Sequence, residues 1–361
     1  MSRLRPSLRL PDDGLTQYTL AVTLADRLVD AWYSPRPTLL AVTLLPLSLL
    51  FGVAVALRRV FYRYGVLRST RFPVPVVVIG NITAGGSGKT PLVAALAVAL
   101  AQRGFHPGIV SRGYGRDEDD SEPVPVSPDD DPHRVGDEPL LLAGAGYPVV
   151  VARDRVAAGR TLLARHAACD VILSDDGLQH YRLARSVEIA VVDAARALGN
   201  RWLLPAGPLR EPASRLDEVD AVVVLTEKTG AAPPELPGAF TMTLVGDRFV
   251  RVDDPLTTAP ASAFAREDVH ALAGIGHPAR FFARLAAMGI AATPHSFPDH
   301  HRFVRGDLAI ADAQAILMTE KDALKCGAFA DERCWYLPVR ARIDDALVTL
   351  IEGKLRGFQA A

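Results

Sequence analysis

Three cysteines in 361 residues are too few for a disulfide framework. Cys169, Cys326 and Cys334 also lack metal-ligand spacing, and an odd count suits buried thiols in a reducing compartment. Neither sign of charge dominates: 40 Lys and Arg stand against 41 Asp and Glu, a formal net charge of −1. That balance provides no global basic field and excludes nucleic acid as the expected partner. Internal repeats are missing. So is the apolar core of a signal peptide, because Arg3, Arg5 and Arg9 are followed by Pro11-Asp12-Asp13-Gly14. What remains is a chain that is 49% hydrophobic and long enough for two domains.

Residues 1–37 read as a flexible extension, with a short amphipathic helix over 20–32. Residues 38–57 carry no charge. At ~1.5 Å per residue that length matches a bilayer core of ~30 Å. Arg58, Arg59, Arg63, Arg68 and Arg71 follow, which places the C-terminal side in the cytoplasm. Pro46 and Gly52 weaken a straight span, so a kinked or half-inserted anchor fits as well. The competing reading is a buried soluble helix. We take 38–70 as a membrane-anchor helix with its basic flank.

From residue 74 short apolar runs alternate with helical patterns. Strands are expected at 74–79, 108–111, 149–152, 171–174, 189–193 and 221–226, and helices at 92–103, 138–143 and 155–166. Near-continuous Val and Ile runs predict strands buried on both faces, hence a mostly parallel sheet flanked by helices. The acidic, proline-containing segment 117–132 reads as a solvated loop. The pattern breaks near 233–237. Beyond it, 240–245 and 249–252 suggest a hairpin. Apolar runs at 269–275, 315–319 and 335–339, with helices over 278–288 and from 344, suggest a smaller α/β unit. The expected division is therefore 71–235 for a P-loop nucleotide-binding domain and 236–361 for a smaller domain.

The stretch Thr83-Ala84-Gly85-Gly86-Ser87-Gly88-Lys89-Thr90 lies between the first strand and the first helix of this pattern. Main-chain amides at a helix N-terminus carry partial positive charge, and glycines let them close around phosphates. Lys89 would reach the β/γ-phosphates of a nucleotide, and the Thr90 hydroxyl would sit on Mg²⁺. Thr83 stands where the general P-loop pattern has glycine. Without its context, the stretch is a glycine-rich turn with a solvated lysine.

The strand at 171–174 ends in Asp175-Asp176-Gly177. P-loop enzymes hold Mg²⁺ with the loop hydroxyl and an Asp from such a strand, although an Asp-Asp-Gly turn alone is common. Gln179 and His180 follow; His180 either orients a substrate, pairs with a carboxylate or caps a turn. Asp137 and Glu138 stand where a helix begins and by themselves read as N-terminal capping. Arg210 and Glu211 lie on a rigid turn, Pro205 to Pro212. With Arg112, Arg153 and Arg155 they suggest a cleft for a polyanion, or else surface ion pairs. His300 lies in Asp299-His300-His301, and a histidine can accept a proton near neutral pH. Thr319-Glu320-Lys321-Asp322 resembles the base-reading pattern of GTPases too loosely to specify guanine.

These motifs, with Ser111-Arg112-Gly113-Tyr114-Gly115, resemble in order and spacing the tetraacyldisaccharide 4′-kinase family of lipid A synthesis, over residues 32–346. Thr83 is similar to this family's own variant of the loop. The resemblance implies a P-loop kinase-like α/β fold with a smaller C-terminal α/β domain and an N-terminal membrane-associated helix. It implies transfer of the γ-phosphate of ATP to the 4′-hydroxyl of a tetraacylated glucosamine disaccharide 1-phosphate, with Mg²⁺, at the cytoplasmic face of the inner membrane. It also implies a base pair, Asp137 with His300 from the other domain. Lys89, Thr90, Asp175 and Asp176 match phosphate and metal positions. Glu138, Gln179, His180, Arg210 and Glu211 match supporting positions. The alternatives are a P-loop ATPase or nucleotide switch acting on a membrane partner, and a non-enzymatic membrane scaffold.

Overall fold

The uncharged stretch forms two helices, α1 (Leu39–Thr43) and α2 (Leu45–Arg63), in a computed structural model that describes residues 27–114, 122–227, 236–265 and 268–358. Pro46 lies in the first turn of α2, where its missing N–H is not needed, so the break falls before it. Gly52 is no weak point: α2 runs through it, and Leu203 packs against the bare backbone there. The helix continues past Leu57, so Arg58, Arg59 and Arg63 lie on it rather than after it. Its docked face is polar at one point. Ser48 is buried, donates to the Leu203 carbonyl and accepts from the Ala206 amide at 3.0 Å. Leu47, Leu49, Leu50, Val53 and Leu57 point away and are exposed. By length and composition α2 can cross a membrane, with 6% of its apolar window buried against the protein. Residues 27–33 are helical; the rest of the helix expected over 20–32 lies outside the described residues.

The first lobe contains β1 (Val76–Gly80), α3 (Lys89–Gln102), β2 (Pro107–Ser111), β3 (Val124–Val126), α4 (Pro132–Val135), α5 (Asp137–Gly144), β4 (Val149–Val151), α6 (Arg155–Arg165), β5 (Val171–Ser174), β6 (Val187–Asp193), β7 (Ala221–Leu225) and β8 (Phe240–Val245). The second contains β9 (Arg248–Arg251), β10 (Thr258–Pro260), β11 (Val269–Ala273), α7 (Pro278–Ala287), β12 (Ala292–Ser296), β13 (Ala315–Thr319), α8 (Glu320–Cys326) and β14 (Cys334–Leu337). The chain then returns to the first lobe as β15 (Arg340–Ile343) and α9 (Asp345–Arg356).

Among the described residues the first sheet has nine strands in the order β15-β8-β7-β6-β1-β5-β2-β4-β3. The inner strands are parallel, and β15 and β3 are antiparallel edges. The buried β1 and β5 explain the unbroken Val and Ile runs, since helices cover both faces. β1 lies between β6 and β5, so the turn after β1 opens at the carboxyl end of the sheet, where such folds bind ligands.

Three expectations change. The segment read as a solvated loop supplies the edge strand β3 and ends on Pro132, the first residue of the short helix α4, with residues 117–121 outside the described set. No hairpin joins β8 to β9: β8 completes the first sheet beside β7, while β9 opens the second. A smaller domain beginning at 236 and running to the C-terminus is also overturned. β15 pairs with β8, and Leu347, Val348, Ile351 and Leu355 of α9 enter the first core. The short apolar run 240–245 has the same period in either sheet, so pattern alone could not assign it.

The second sheet, β10-β9-β14-β13-β11-β12, is parallel over its last four strands. Its core is centred on Phe249, fully buried, which meets Phe264 edge-on at 4.9 Å; Phe264 in turn meets Trp335 at 5.5 Å. Phe249→Ala is expected to cost about 3–5 kcal/mol. A urea melt should show it as a lower midpoint with an unchanged slope.

Candidate active site

Gly85 (φ +98°) and Gly88 (φ +83°) take left-handed conformations that a side chain would strain, and Gly88 caps α3 so that Lys89 is its first residue. The loop is held from both sides. Ala84 donates its amide to the Pro208 carbonyl at 2.7 Å, and Arg210 donates its amide to the Ile82 carbonyl at 2.7 Å. The rigid turn at 205–212 is thus laid along the loop and delivers Arg210 to it. Asn81, to which the sequence motif assigns no role, anchors the foot of the loop. Its Oδ1 accepts from Lys89 Nζ at 3.2 Å and its Nδ2 donates to the Gly85 carbonyl at 3.3 Å. Gln179 Nε2 donates to the Asn81 carbonyl (2.9 Å) and to Glu211 (3.3 Å), and Tyr181 also donates to Glu211. Gln179 and Glu211 therefore brace the loop from behind.

Asp175 and Asp176 follow β5 in different environments. Asp175 is buried. Ser111 Oγ donates to its Oδ2 at 3.3 Å, and its Oδ1 has no hydrogen-bond partner among the described residues. Burial, then the charges of Glu138 and Asp176, push its carboxyl up to about 7. Asp176, at φ +48°, lies 3.5 Å from Lys89 Nζ and 3.4 Å from Arg210 Nη1. Burial would raise its carboxyl, but Lys89, Arg210 and Arg155 outweigh that and hold it below the usual range. An orphaned buried oxygen suits a hard cation, whereas a carboxylate already shared by two cations does not. Asp175 is thus the better fit for a metal ligand of the pair.

Across the cleft, His300 Nδ1 lies 3.2 Å from Asp137 Oδ2. Asp137 is the first residue of α5 on the nucleotide lobe, while His300 sits on the loop after β12 at φ +59°. A non-glycine residue at such a φ is strained, and that strain is held here by the contact between lobes. The Tyr114 ring packs on the imidazole with centroids 5.0 Å apart. Burial would raise the Asp137 carboxyl, but the His300 hydrogen bond, Lys321 and Lys325 together hold it low. Lys321 Nζ stands 3.5 Å from Asp137, 3.3 Å from Glu138 and 3.8 Å from Asp299. Lys325 lies 4.0 Å from Asp137 and pairs with Asp322 at 2.8 Å. Lys321 belongs to the Thr319-Glu320-Lys321-Asp322 motif, to which the sequence assigns no catalytic role, and Lys325 lies in no motif. Their spacing of four at the start of a helix after a strand does put both on one face, and that was the available signal.

Other sequence candidates do different things. His180 turns its ring toward Asp154, at 3.7 Å; burial and then Arg155 push it down to about 4, leaving it neutral. Arg155 is buried and its Nη2 donates to the Asp175 and Asp176 carbonyls, which fixes the acidic turn rather than facing a ligand. Arg112 and Arg153 are exposed. Thr319 caps α8 and Asp322 accepts from the Gly274 amide at 3.0 Å, so that motif is structural apart from Lys321. His301 pairs with Asp307 (3.1 Å) and His295 with His270 (2.8 Å). A cavity of about 690 Å³ lies between Tyr33, Arg196, Trp202 and His277.

The sequence profile described as Tetraacyldisaccharide-1-P 4′-kinase matches residues 40–356. A protein of Azoarcus sp. (strain BH72) named tetraacyldisaccharide 4′-kinase is 54% identical over 327 residues, covering 90% of this chain and 94% of that one. Another with the same name, from Chromobacterium violaceum, is 53% identical over 331 residues, covering 90% and 96%. The crystal structure of an "apo" form of LpxK from Aquifex aeolicus in complex with ATP superposes with a TM-score of 0.73. It is 29% identical, with 88% of this chain and 100% of that one covered. A profile over most of the chain and relatives at half identity over nine-tenths of it leave one assignment: this protein belongs to the tetraacyldisaccharide-1-phosphate 4′-kinase family, the kinases of lipid A biosynthesis.

Proposed function

We propose that the chain moves the γ-phosphate of ATP onto the 4′-hydroxyl of a tetraacylated glucosamine disaccharide 1-phosphate, with Asp137 and His300 as the base. The observation that carries this reading is the 3.2 Å contact between His300 Nδ1 and Asp137, made between lobes beside the phosphate loop. Nδ1–H donates to the carboxylate, which leaves Nε2 to take the proton of the sugar hydroxyl. Asp137 orients the ring and offsets the imidazolium charge. Lys89 and the amides of residues 83–90 hold the phosphates, and Arg210 adds its charge beside Asp176. The Aquifex relative's ATP complex supports the choice of nucleotide. Thr90 and Asp175 would hold Mg²⁺, which supplies charge neutralisation on the phosphates when bound. Because the base comes from the second lobe, the site is complete only when the lobes meet, which limits transfer to water.

The acceptor's acyl chains resist transfer into water by about 0.8 kcal/mol per CH₂. The exposed apolar side of α2, with Arg58, Arg59 and Arg63 at its end, supports docking at the inner membrane with both lobes in the cytoplasm. Leu50→Glu with Val53→Glu is expected to release the protein from anionic vesicles in a flotation assay. Retention on the vesicles would refute this part of the reading. For the reaction itself, purified protein with γ-labelled ATP and the lipid acceptor should yield labelled lipid. Label appearing only as free phosphate would overturn it.

A further inference from the structure

We propose that Arg196 is a further catalytic residue, an arginine supplied in cis that meets the transferring phosphoryl group. The inference rests on reading this site as one of phosphoryl transfer. Arg196 lies just past β6, the strand hydrogen-bonded to β1, so its loop runs beside the phosphate loop. Its Nη1 stands 3.3 Å from where a Cβ on Gly85 would be. Its Nη2 donates to the Gly276 carbonyl of the second lobe at 3.4 Å. The seam is tight at that point, since a Cβ on Gly276 would come within 3.6 Å of the Gly86 amide nitrogen. Arg196 therefore bridges the two lobes directly over the middle of the loop.

Its charge is also uncommitted. Asp193, three residues earlier, accepts from Arg280 at 2.5 Å and from the Ala195 amide at 3.0 Å, both on Oδ1, and its buried Oδ2 has no hydrogen-bond partner among the described residues. Lys89 and Arg210 both lie on Asp176. Among the described residues no carboxylate lies within ion-pair distance of Arg196, whose guanidinium rests instead over the Tyr33 ring at 5.1 Å. An aromatic face orients a guanidinium without neutralising it. In the transfer, the bond from the γ-phosphorus to the bridging oxygen breaks and its electron pair leaves with ADP. The bond to the sugar oxygen forms, and the hydroxyl proton goes to His300 Nε2. Negative charge spreads over the oxygens of the moving group, and a planar two-pronged cation beside them is worth ~10³–10⁵ in rate where such arginines have been removed. The Gly276 contact ties the placement of this charge to lobe closure.

The test uses the full-length protein and the variants Arg196→Ala and Arg196→Lys. Both should lose about 10³-fold in kcat with KM for ATP changed only a few-fold. Lysine should not rescue, because the fork is what matters. Wild type should bind ADP with aluminium fluoride more tightly than ADP alone, and both variants should lose that preference while keeping their affinity for ADP. An unchanged kcat, or an equal loss of affinity for ADP and for its aluminium fluoride complex, would overturn the proposal. The analogue measurement needs no lipid, so its result is independent of whether the acceptor has been correctly named.

Discussion

His300→Ala is expected to lower kcat by about 10²–10⁴-fold, the usual contribution of a placed base. Asp137→Asn should fall in the same range, and the double variant should be little worse than either single one. Residues that act as a unit are not additive, and here one hydrogen bond joins them. KM for ATP should hardly move, since neither side chain contacts the phosphate loop. Asp137→Asn carries a second signature. Its carboxylate faces His300, Lys321 and Lys325, which outweigh burial and hold its pKa below the ordinary value. A lowered native pKa gives stability that is present above the unfolded value and is lost as pH falls through the native one. Wild type should thus be more stable than Asp137→Asn near pH 7, and the difference should close in acid. Thermal melts from pH 3 to 8 would read this directly. Full activity in both single variants would remove the proposed base.

The nucleotide lobe was legible because its signals are local. A buried strand, glycines at the loop and a helix start occupy consecutive residues, and their order alone defines a phosphate cradle. The same holds for β5 with its terminal carboxylates. Contacts that depend on the chain's return were not legible. Residues 240–245 form a strand whose sheet is chosen by β7 and β15, about twenty residues before it and a hundred after. Arg155 looked like a phosphate ligand because it follows a strand, yet it is spent on the carbonyls of Asp175 and Asp176. Which arginines stay free depends on which carboxylates reach them first, and that is set by tertiary structure. Asp193 pairs with Arg280 from the other lobe, and among the described residues no carboxylate lies within ion-pair distance of Arg196. The same reasoning separates Asp175 from Asp176, identical in sequence context and opposite in charge environment.

Asp175→Asn is expected to raise the melting temperature of the metal-free protein at pH 8 while abolishing its response to Mg²⁺. The carboxyl is buried with one oxygen unpartnered among the described residues, and burial has pushed it up to about 7. Between its ordinary value near ~3.9 and that raised one, the native state holds a proton the unfolded chain has lost. Stability from this group is therefore greatest in acid and falls as pH rises toward 7, where the charged form must be accommodated without a partner. At about 1.4 kcal/mol per unit the penalty is of the order of a few kcal/mol. Asparagine carries no charge to bury, so its melting temperature should exceed that of wild type by several degrees at pH 8 and match it near pH 4. A cation on Asp175 reverses the wild-type trend, because the ligand must be deprotonated and affinity rises through the same pH window. Catalysis should fall by about 10²–10³-fold in the variant, in line with several kcal/mol of lost charge stabilisation. Asp176→Asn should behave differently. It leaves Lys89 and Arg210 facing an amide, which lowers stability at neutral pH and frees both cations. If instead Asp175→Asn melts like wild type at pH 8 and keeps its Mg²⁺ response, the metal is held elsewhere and Asp176 becomes the carboxylate to test.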